Sequence, residues 1–499
     1  MRLLEILKEN VHLSLSDDPE ILGLSLDSRA VEQGYLYCAL PGAKTHGGHF
    51  ITEVIFKKPA AILVDTSYPL DTATQQALQQ AHIPFGTVSD LAFKLGDIAS
   101  RFYQQPSQKM DIVAVTGTNG KTSVCHYIAS IMKAFKRQCA VLGTAGCGFP
   151  GELKVSDLTT PDTLTVQRLL AHYYDTGASM AALEASSHAL VQHRLQGVAI
   201  KTAVFTNLSP EHFDYHLTMQ AYAAAKETLF KWPNLQHAVI NIDDPYGLTW
   251  CQRYYQAYRI IAYSCATTQP KLPPGVEFIQ GRILEVSSLG INAEIMSPWG
   301  SHQVNIPIIG DFNLANILAT LAVAQLYGMD FSETCQAIQH LQGVCGRMEV
   351  FNQKDNPTVV VDFAHTPDAL AKALASVRSH TSGKLWCVFG CGGDRDRSKR
   401  PIMGKLAAQY ADRIVLTNDN PRREDPAQII AEIHHGIPKS HPSVYIEIDR
   451  TAAIKYAIDH ANSVDLVLIA GKGHEMYQII GDEKQHFSDQ AVVAQCLQN

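Results

Sequence analysis

Several things this chain lacks narrow what it can be. No stretch approaches the roughly 18 uninterrupted apolar residues of a membrane-crossing helix. The opening Met-Arg-Leu-Leu-Glu-Ile-Leu-Lys-Glu-Asn mixes charges too early for a secretory apolar region. The chain is therefore expected to be neither exported nor membrane-inserted. There is no basic stripe: 41 Lys and Arg against 48 Asp and Glu give a formal charge of −7, and the cations are scattered, which argues against a nucleic-acid partner. Eleven cysteines include no Cys-x-x-Cys pair, so they are expected as free thiols in a reducing cytoplasm. Neither an internal repeat nor a low-complexity tract interrupts the sequence.

What is present is an ordinary globular composition, 46% hydrophobic and 18% charged, spread over 499 residues. That length exceeds what one core usually serves, about 250–300 residues. Three textures divide it. Residues 1–89 hold short apolar runs, Tyr35 to Leu40 and Ala60 to Val64, between glycine and proline turns, as in a small mixed α/β domain. Residues 90–342 begin with a helical pattern, Leu91 to Tyr103. Apolar strands then alternate with helices: Met110 to Val115, Met180 to Leu183, Ala203 to Thr206 and Ala238 to Ile242, the last three ending in polar clusters. That rhythm predicts a parallel sheet with function at its strand ends. In residues 343–499, Val359 to Val361, Leu385 to Phe389, Ile414 to Leu416 and Leu466 to Ile469 each precede a motif rich in Gly, Asp, Arg or His. They predict a second, Rossmann-like doubly wound unit.

The stretch Val115-Thr-Gly-Thr-Asn-Gly-Lys-Thr-Ser-Val124 points to a nucleotide. Backbone N–H groups around Gly117 and Gly120 can curl about phosphate oxygens, Lys121 supplies an ammonium, and Thr122 offers a hydroxyl to Mg²⁺. A strand before it and a helical pattern from Ser123 to Phe135 give the order a phosphate site needs. The general pattern wants a glycine five residues before Gly120, where Val115 stands, so the loop is a shortened variant. Further on, Leu183-Glu184-Ala185-Ser186-Ser187-His188 sets a carboxylate at a strand end, suited to a nucleotide-bound Mg²⁺. The run Thr206-Asn207-Leu208 through Glu211-His212-Phe213-Asp214-Tyr215-His216 crowds ionisable groups after the next strand. Alone, His212 would pass for a surface histidine, and Lys226 for a solvated helix lysine.

Taken in order, Thr-Gly-Thr-Asn-Gly-Lys-Thr-Ser, Glu-x-Ser-Ser-His, Thr-Asn-Leu-x-x-x-His-x-Asp-Tyr-His and Tyr-x-x-x-Lys resemble the Mur ligases. Gly-Arg-Met-Glu (346–349), Asp-Phe-Ala-His-Thr-Pro-Asp (362–368), Gly-Gly-Asp-Arg-Asp (392–396), Asp-Asn-Pro-Arg (419–422) and Gly-Lys-Gly-His-Glu (471–475) extend the likeness over nearly the whole chain. They point to the tripeptide-forming branch that adds meso-diaminopimelate.

The resemblance implies an ATP-dependent amide ligase of cytoplasmic peptidoglycan-precursor synthesis, expected to work as a monomer. It would join meso-diaminopimelate to UDP-N-acetylmuramoyl-L-alanyl-D-glutamate through an acyl phosphate. It assigns ATP to Gly117, Thr118, Asn119, Gly120, Lys121, Thr122 and Ser123, together with Asn313, Asn316, Arg347 and Asp362; as bare sequence the asparagines would pass for helix caps. Two Mg²⁺ ions would be held by Thr122, Glu184, His212 and Lys226, the lysine carrying a carbamate derived from CO₂. Lys121, Glu184, His212 and Lys226 form the implied catalytic set.

The UDP-sugar dipeptide is implied for Leu26, Ser28, Ala43, Lys44, Thr45, Thr159, Thr160, Ser186, Gln192 and Arg194, and diaminopimelate for Arg395, Asp419, Asn420, Pro421, Arg422, Gly471 and Glu475. Two residues depart from the usual pattern: His46 stands where Asp commonly precedes Gly47, and Phe363 where Tyr is usual. Arginine at 422 is the feature that separates diaminopimelate from lysine, because only the former carries a second carboxylate for a forked guanidinium. The competing expectations are a lysine-adding, folylpolyglutamate-type or cyanophycin-type ligase and, from another class, a P-loop ATPase that hydrolyses ATP to change shape.

Overall fold

The structure, a computed structural model, describes residues 1–8, 13–14, 18–42, 45–156, 158–268 and 271–498, with the Asp214 side chain left aside. The chain is α/β throughout and folds as two compact units. The first comprises Met1–Lys121, Met132–Val239 and Thr249–Ile260. The second comprises Thr122–Ile131, Ile240–Leu248 and the chain from Ile261 onward.

The first unit opens with a four-stranded parallel sheet, β1 (Gly23–Ser25), β2 (Tyr35–Ala39), β3 (Ala61–Asp65) and β4 (Phe85–Val88), in sequence order. Side chains alternate across a strand, so β2 and β3 split cleanly between two cores. Leu36, Cys38, Ala61 and Leu63 pack on one face with the helix Leu91–Phe102, whereas Tyr37, Ala39, Ile62 and Val64 pack on the other. The unit's larger sheet contains β5 (Asp111–Thr116), β6 (Cys139–Gly143), β7 (Gly146–Gly148), β8 (Met180–Glu184) and β9 (Thr202–Phe205). Their order is β9-β5-β8-β6-β7, parallel except for β7. β5 and β8 are almost wholly buried, which is why they read as continuous apolar runs rather than alternating ones.

Strand β10 (His237–Asn241) carries the chain from the first unit into the second. There, β11 (Arg259–Ser264) runs parallel to β12 (Glu277–Ser287), but β12, β13 (Gly290–Ser297) and β14 (Gly300–Ile306) form an antiparallel meander. The parallel rhythm expected through residue 342 therefore ends at β12. Tight turns at Ser288-Leu289 and Pro298-Trp299 leave no room for crossover helices.

The unit's other sheet has the order β15-β16-β20-β17-β18-β19. Its strands are β15 (Glu349–Phe351), β16 (Thr358–Asp362), β17 (Leu385–Phe389), β18 (Arg413–Leu416), β19 (Val444–Ile446) and β20 (Leu466–Ala470). All pairs are parallel except β15–β16. Val360, Cys387, Phe389, Ile414 and Leu468 face one core; Val359, Val361, Val388, Val415, Val467 and Ile469 face the other. Each such buried aliphatic side chain contributes about 1.5–3 kcal/mol relative to exposure. A short hairpin, β21 (Tyr477–Ile480) with β22 (Glu483–His486), follows.

Candidate functional site

The phosphate loop hangs from the end of β5. Gly117 and Gly120 take φ values of +146° and +86°, the region that favours glycine, and a Cβ on Gly117 would lie 1.9 Å from Thr206 Oγ1. Neighbouring elements fix the loop. Thr118 N donates to Asn207 O (2.8 Å), Asn119 N donates to Asn207 Oδ1 (3.0 Å), and the Thr118 and Tyr222 hydroxyls meet at 3.1 Å. Lys121 folds back over it, donating to the carbonyls of Gly117 and Thr118 at 2.8 Å each. Lys121 also begins the helix Lys121–Ala134, in which Val124, Cys125, Tyr127, Ile128, Ala129, Ile131 and Met132 are all buried. A helix apolar at so many positions is buried rather than lying on a surface, and it follows the loop directly in the chain. Thr122 and Ser123 occupy its first turn and are buried.

Glu184 ends β8, level with Val115 in the parallel register. It is buried, and Thr144 grips it through its backbone N–H (2.7 Å to Oε1) and its hydroxyl (3.1 Å to Oε2). Thr144 was absent from the sequence-based set, having no motif of its own. Among the described residues no three His, Cys, Asp or Glu side chains form a metal cage. One fixed carboxylate beside a phosphate cradle nonetheless suits Mg²⁺, which binds through one or two carboxylates plus substrate phosphates.

Lys226 is not the solvated lysine its sequence suggests. The helix Met219–Glu227 turns Tyr222, Ala223, Ala225 and Lys226 inward, and Lys226 is 1% exposed. Its Nζ donates to Gly117 O at 2.7 Å and lies 4.5 Å from the centre of the Tyr222 ring. Burial, reinforced by the charge of Lys121 and only partly opposed by Glu211, holds its pKa well below the ordinary lysine value. His212 lies nearby in a left-handed backbone conformation (φ +57°), its ring edge-on to His188 and 3.7 Å from Glu211.

Thr159, Thr160, Ser186, Gln192 and Arg194 are brought together. Thr160 Oγ1 donates to Glu184 O (2.6 Å) and lies 3.2 Å from Ser186 Oγ, while Arg194 Nη1 donates to Thr160 O (2.8 Å). Gln192 Oε1 accepts from Arg194 Nη2 at 2.6 Å, and Thr144 Oγ1 donates to Thr159 Oγ1 at 3.1 Å. In the N-terminal sheet Leu26 is half-buried, Ser28 buried and Thr45 exposed; Ala43 and Lys44 lie outside the described residues. His46 does the work a carboxylate would do at that position: its Nδ1 accepts from Gly48 N at 2.9 Å and caps the short turn Gly47–Phe50.

In the second unit, Asn313 and Asn316 are buried inside the helix Phe312–Leu326 rather than capping it. Asn316 Nδ2 donates to Asn313 Oδ1 (2.9 Å), and Asn313 Nδ2 donates to Ile309 O (2.8 Å). Asp362 accepts the Met348 and Ala364 N–H groups (2.8 and 2.9 Å), and burial raises its pKa despite the nearby Arg347. Arg347 stacks 4.8 Å from the centre of the Phe363 ring, an arrangement that needs no tyrosine hydroxyl. Among the described residues His126 Nε2, Arg347 Nε and His474 Nδ1 are buried with no hydrogen-bond partner, and burial lowers both histidines to about 4.

The diaminopimelate set gathers at the ends of β17, β18 and β20. Arg422 sits in the left-handed region (φ +53°), held by Arg422 N donating to Ile479 O (3.0 Å) and Gly481 N donating to Arg422 O (2.7 Å). Such strain persists only where the surroundings enforce it. Its Nη1 donates to Gly393 O (2.9 Å), and a Cβ on Gly392 would meet Arg422 Nη1 at 2.9 Å and Arg395 Cγ at 3.7 Å, so both arginines lie against that glycine. Gly471 closes on the same place, its Cβ position 2.5 Å from Asp419 Oδ2. Asn420 Nδ2 donates to Glu475 Oε2 at 2.9 Å, and Pro421 packs buried beside it. Lys472, inside a motif but not in the sequence-based set, is fully buried and donates to Glu475 Oε2 at 2.8 Å.

A phosphate loop at the end of a parallel sheet, with a second doubly wound sheet carrying charged strand-end loops, defines a nucleotide-using α/β enzyme. Residues 115–324 match the Mur ligase middle domain and residues 346–473 the Mur ligase glutamate ligase domain. The chain is 43% identical over 499 residues to the UDP-N-acetylmuramoyl-L-alanyl-D-glutamate--2,6-diaminopimelate ligase of Alkalilimnicola ehrlichii, spanning 100% of this chain and 99% of that one. It is 42% identical over 477 residues to the corresponding ligase of Coxiella burnetii, spanning 95% of each. A solved structure of such a ligase superposes with a TM-score of 0.69 at 38% identity, over 96% of this chain and 95% of that one. MurF from Acinetobacter baumannii, at 17% identity and a TM-score of 0.64 over 99% of this chain and 98% of that one, shares the fold. The chain belongs to the Mur ligase family.

Proposed function

We propose that this enzyme joins meso-diaminopimelate to UDP-N-acetylmuramoyl-L-alanyl-D-glutamate at the expense of ATP, as a cytoplasmic step of peptidoglycan-precursor synthesis. Full-length similarity to ligases of that name supports the reaction. The observation that carries the choice of amino acid is that Arg422 and Arg395 both lie against Gly392. Two guanidiniums at one loop cluster suit a substrate with a second, distal carboxylate. Residues 1–89 are assigned to the UDP-sugar, 90–342 to ATP and 343–499 to the amino acid.

The reaction has two stages. The precursor's free carboxylate attacks the γ-phosphorus of ATP, giving an acyl phosphate and ADP; the amine of diaminopimelate then attacks the acyl carbon and phosphate leaves. Two anions must meet in the first stage, so the loop N–H groups and Lys121 offset charge on the triphosphate. Thr122 and Glu184, with His212 and a carbamate on Lys226, would hold two Mg²⁺ ions, which when bound neutralise the phosphate oxygens. Lys226 suits carbamate formation because burial shifts its amine toward the uncharged form, the form that adds to CO₂. Thr144 holds the Glu184 carboxylate in one orientation, and Thr160, Ser186 and Arg194 brace the wall beside it.

Phosphate release measured with each substrate omitted in turn separates this ligase from an ATPase that only changes shape. Release is expected only when UDP-precursor and amino acid are both present; steady release without them would support the ATPase.

A further inference from the structure

Arg450 carries no motif and lies outside every substrate set above, yet it is fully buried. It opens the helix Arg450–His460, and its three donor nitrogens are all engaged. Nε and Nη2 fork onto Asp489, itself fully buried, at 2.7 and 2.8 Å. The remaining bonds go to two backbone carbonyls: Nη1 to Asn418 O (3.0 Å) and Nη2 to Ala470 O (3.1 Å). These carbonyls root the two loops of the amino-acid site. Asn418 directly precedes Asp419–Arg422, and Ala470 directly precedes Gly471–Glu475. Strands β18 and β20 are not neighbours, because β17 lies between them in the sheet. No ladder hydrogen bond joins them directly; both are registered only through β17, and the guanidinium adds a direct tie between the two loop roots.

Beyond the roots, the loops and the segment after them meet through side chains. Asn420 bonds Glu475 and Lys472, Ile479 N donates to Asn420 Oδ1 at 2.8 Å, and Gln478 Nε2 donates to Asp419 O at 2.7 Å. Each of these contacts is short only if the two roots hold their relative position. A simple buried ion pair needs only Asp489, and apolar residues of similar volume often replace such a pair at no cost. The two carbonyl contacts are what a merely structural pair would not require.

We propose that Arg450 is a positioning residue for the ligation: its guanidinium, oriented by Asp489, clamps the loops after β18 and β20 so that their side chains converge on the incoming amino acid. This rests on the reading that those loops bind the amino acid. A lysine at 450 keeps a charge for Asp489 but lacks the planar fork that reaches both carbonyls.

The test is steady-state kinetics of the full-length chain carrying Arg450→Lys or Asp489→Asn, with the melting temperature of each recorded. For Arg450→Lys, KM for meso-diaminopimelate is expected to rise about tenfold, the scale of one lost charged hydrogen bond, with KM for ATP and for the UDP-precursor within about twofold. Asp489→Asn keeps the arginine and is expected to raise the same KM by a smaller factor. An unchanged amino-acid KM in folded Arg450→Lys would overturn the proposal, as would equal rises in all three KM values. Unfolding of both variants at the assay temperature would assign the pair to stability alone and overturn it too. Arg422→Ala, assayed alongside, separates the two readings. If it raises the amino-acid KM while Arg450→Lys does not, only the clamp fails; if neither does, the assignment of the loops fails as well.

Discussion

Lys226 and Lys472 are both buried, at 1% and 0% exposure, and they are held in opposite ways. Lys472 faces a carboxylate, Glu475 Oε2 at 2.8 Å, and an amide oxygen, Asn420 Oδ1 at 3.2 Å. Lys226 has no carboxylate at ion-pair distance among the described residues; a carbonyl, an aromatic face and the like charge of Lys121 surround it. Desolvation costs an ammonium several kcal/mol, which a hydrogen-bonded carboxylate repays and a carbonyl does not. One lysine is thus tied to a carboxylate and shapes a loop, and burial pushes the other toward the uncharged amine. Burial alone separates neither; the partner decides.

The largest expected effect breaks the comparison on the Lys226 side. Lys226→Met should lower the ligation rate by about two to three orders of magnitude, within the range for losing an electrostatic stabiliser of the transition state. It should leave the melting temperature unchanged or raised, because an apolar side chain replaces a group that resists burial. Rate and thermal melt together check this. Lys472→Met should do the reverse: about 2 kcal/mol of stability is lost as Glu475 loses its counter-charge, read by denaturant titration, while the maximal rate falls less than in Lys226→Met.

Near the phosphate loop, Thr144→Val removes the hydroxyl donor that Thr144 gives Glu184 and keeps its backbone N–H; it is expected to slow ligation about fivefold, close to 1 kcal/mol, with little change in the KM for the amino acid. The smallest effect concerns pH. Arg400, fully buried, holds Glu424 down to about 2, below its ordinary 4.5, and Glu424 in turn accepts from Asp394 N at 2.6 Å. A carboxylate with a depressed folded pKa stabilises fully above its unfolded value and loses that contribution as pH falls toward the folded one. Stability should therefore decline between about pH 4.5 and about 2, and Glu424→Gln should flatten the decline in denaturant midpoints.

Much of this was legible in sequence where chemistry is local. The phosphate loop, the strand Leu385–Phe389 and the charged strand-end motifs all lie within a few residues of the features that signal them. The meander β12–β14 was not, because its strands mix exposed and buried positions and lack the continuous apolar runs that mark the buried parallel strands. Lys226 was illegible for a different reason. The run Tyr222-Ala-Ala-Ala-Lys226 does not say which helix face turns inward, and only the neighbouring loop makes that lysine buried. Arg450 and Asp489 lie 39 residues apart, so nothing local announces their pairing. The three-domain division by texture is a proposal about which loops carry which chemistry; the fold itself shows two compact units.

The most direct test of the central claim is a competition between meso-diaminopimelate and L-lysine for ligation to the UDP-precursor. With Arg422 and Arg395 both against Gly392, diaminopimelate is expected to be preferred by at least about a hundredfold in kcat/KM, as a forked guanidinium pairing with a second carboxylate implies. Use of L-lysine as well as, or better than, diaminopimelate would contradict the account.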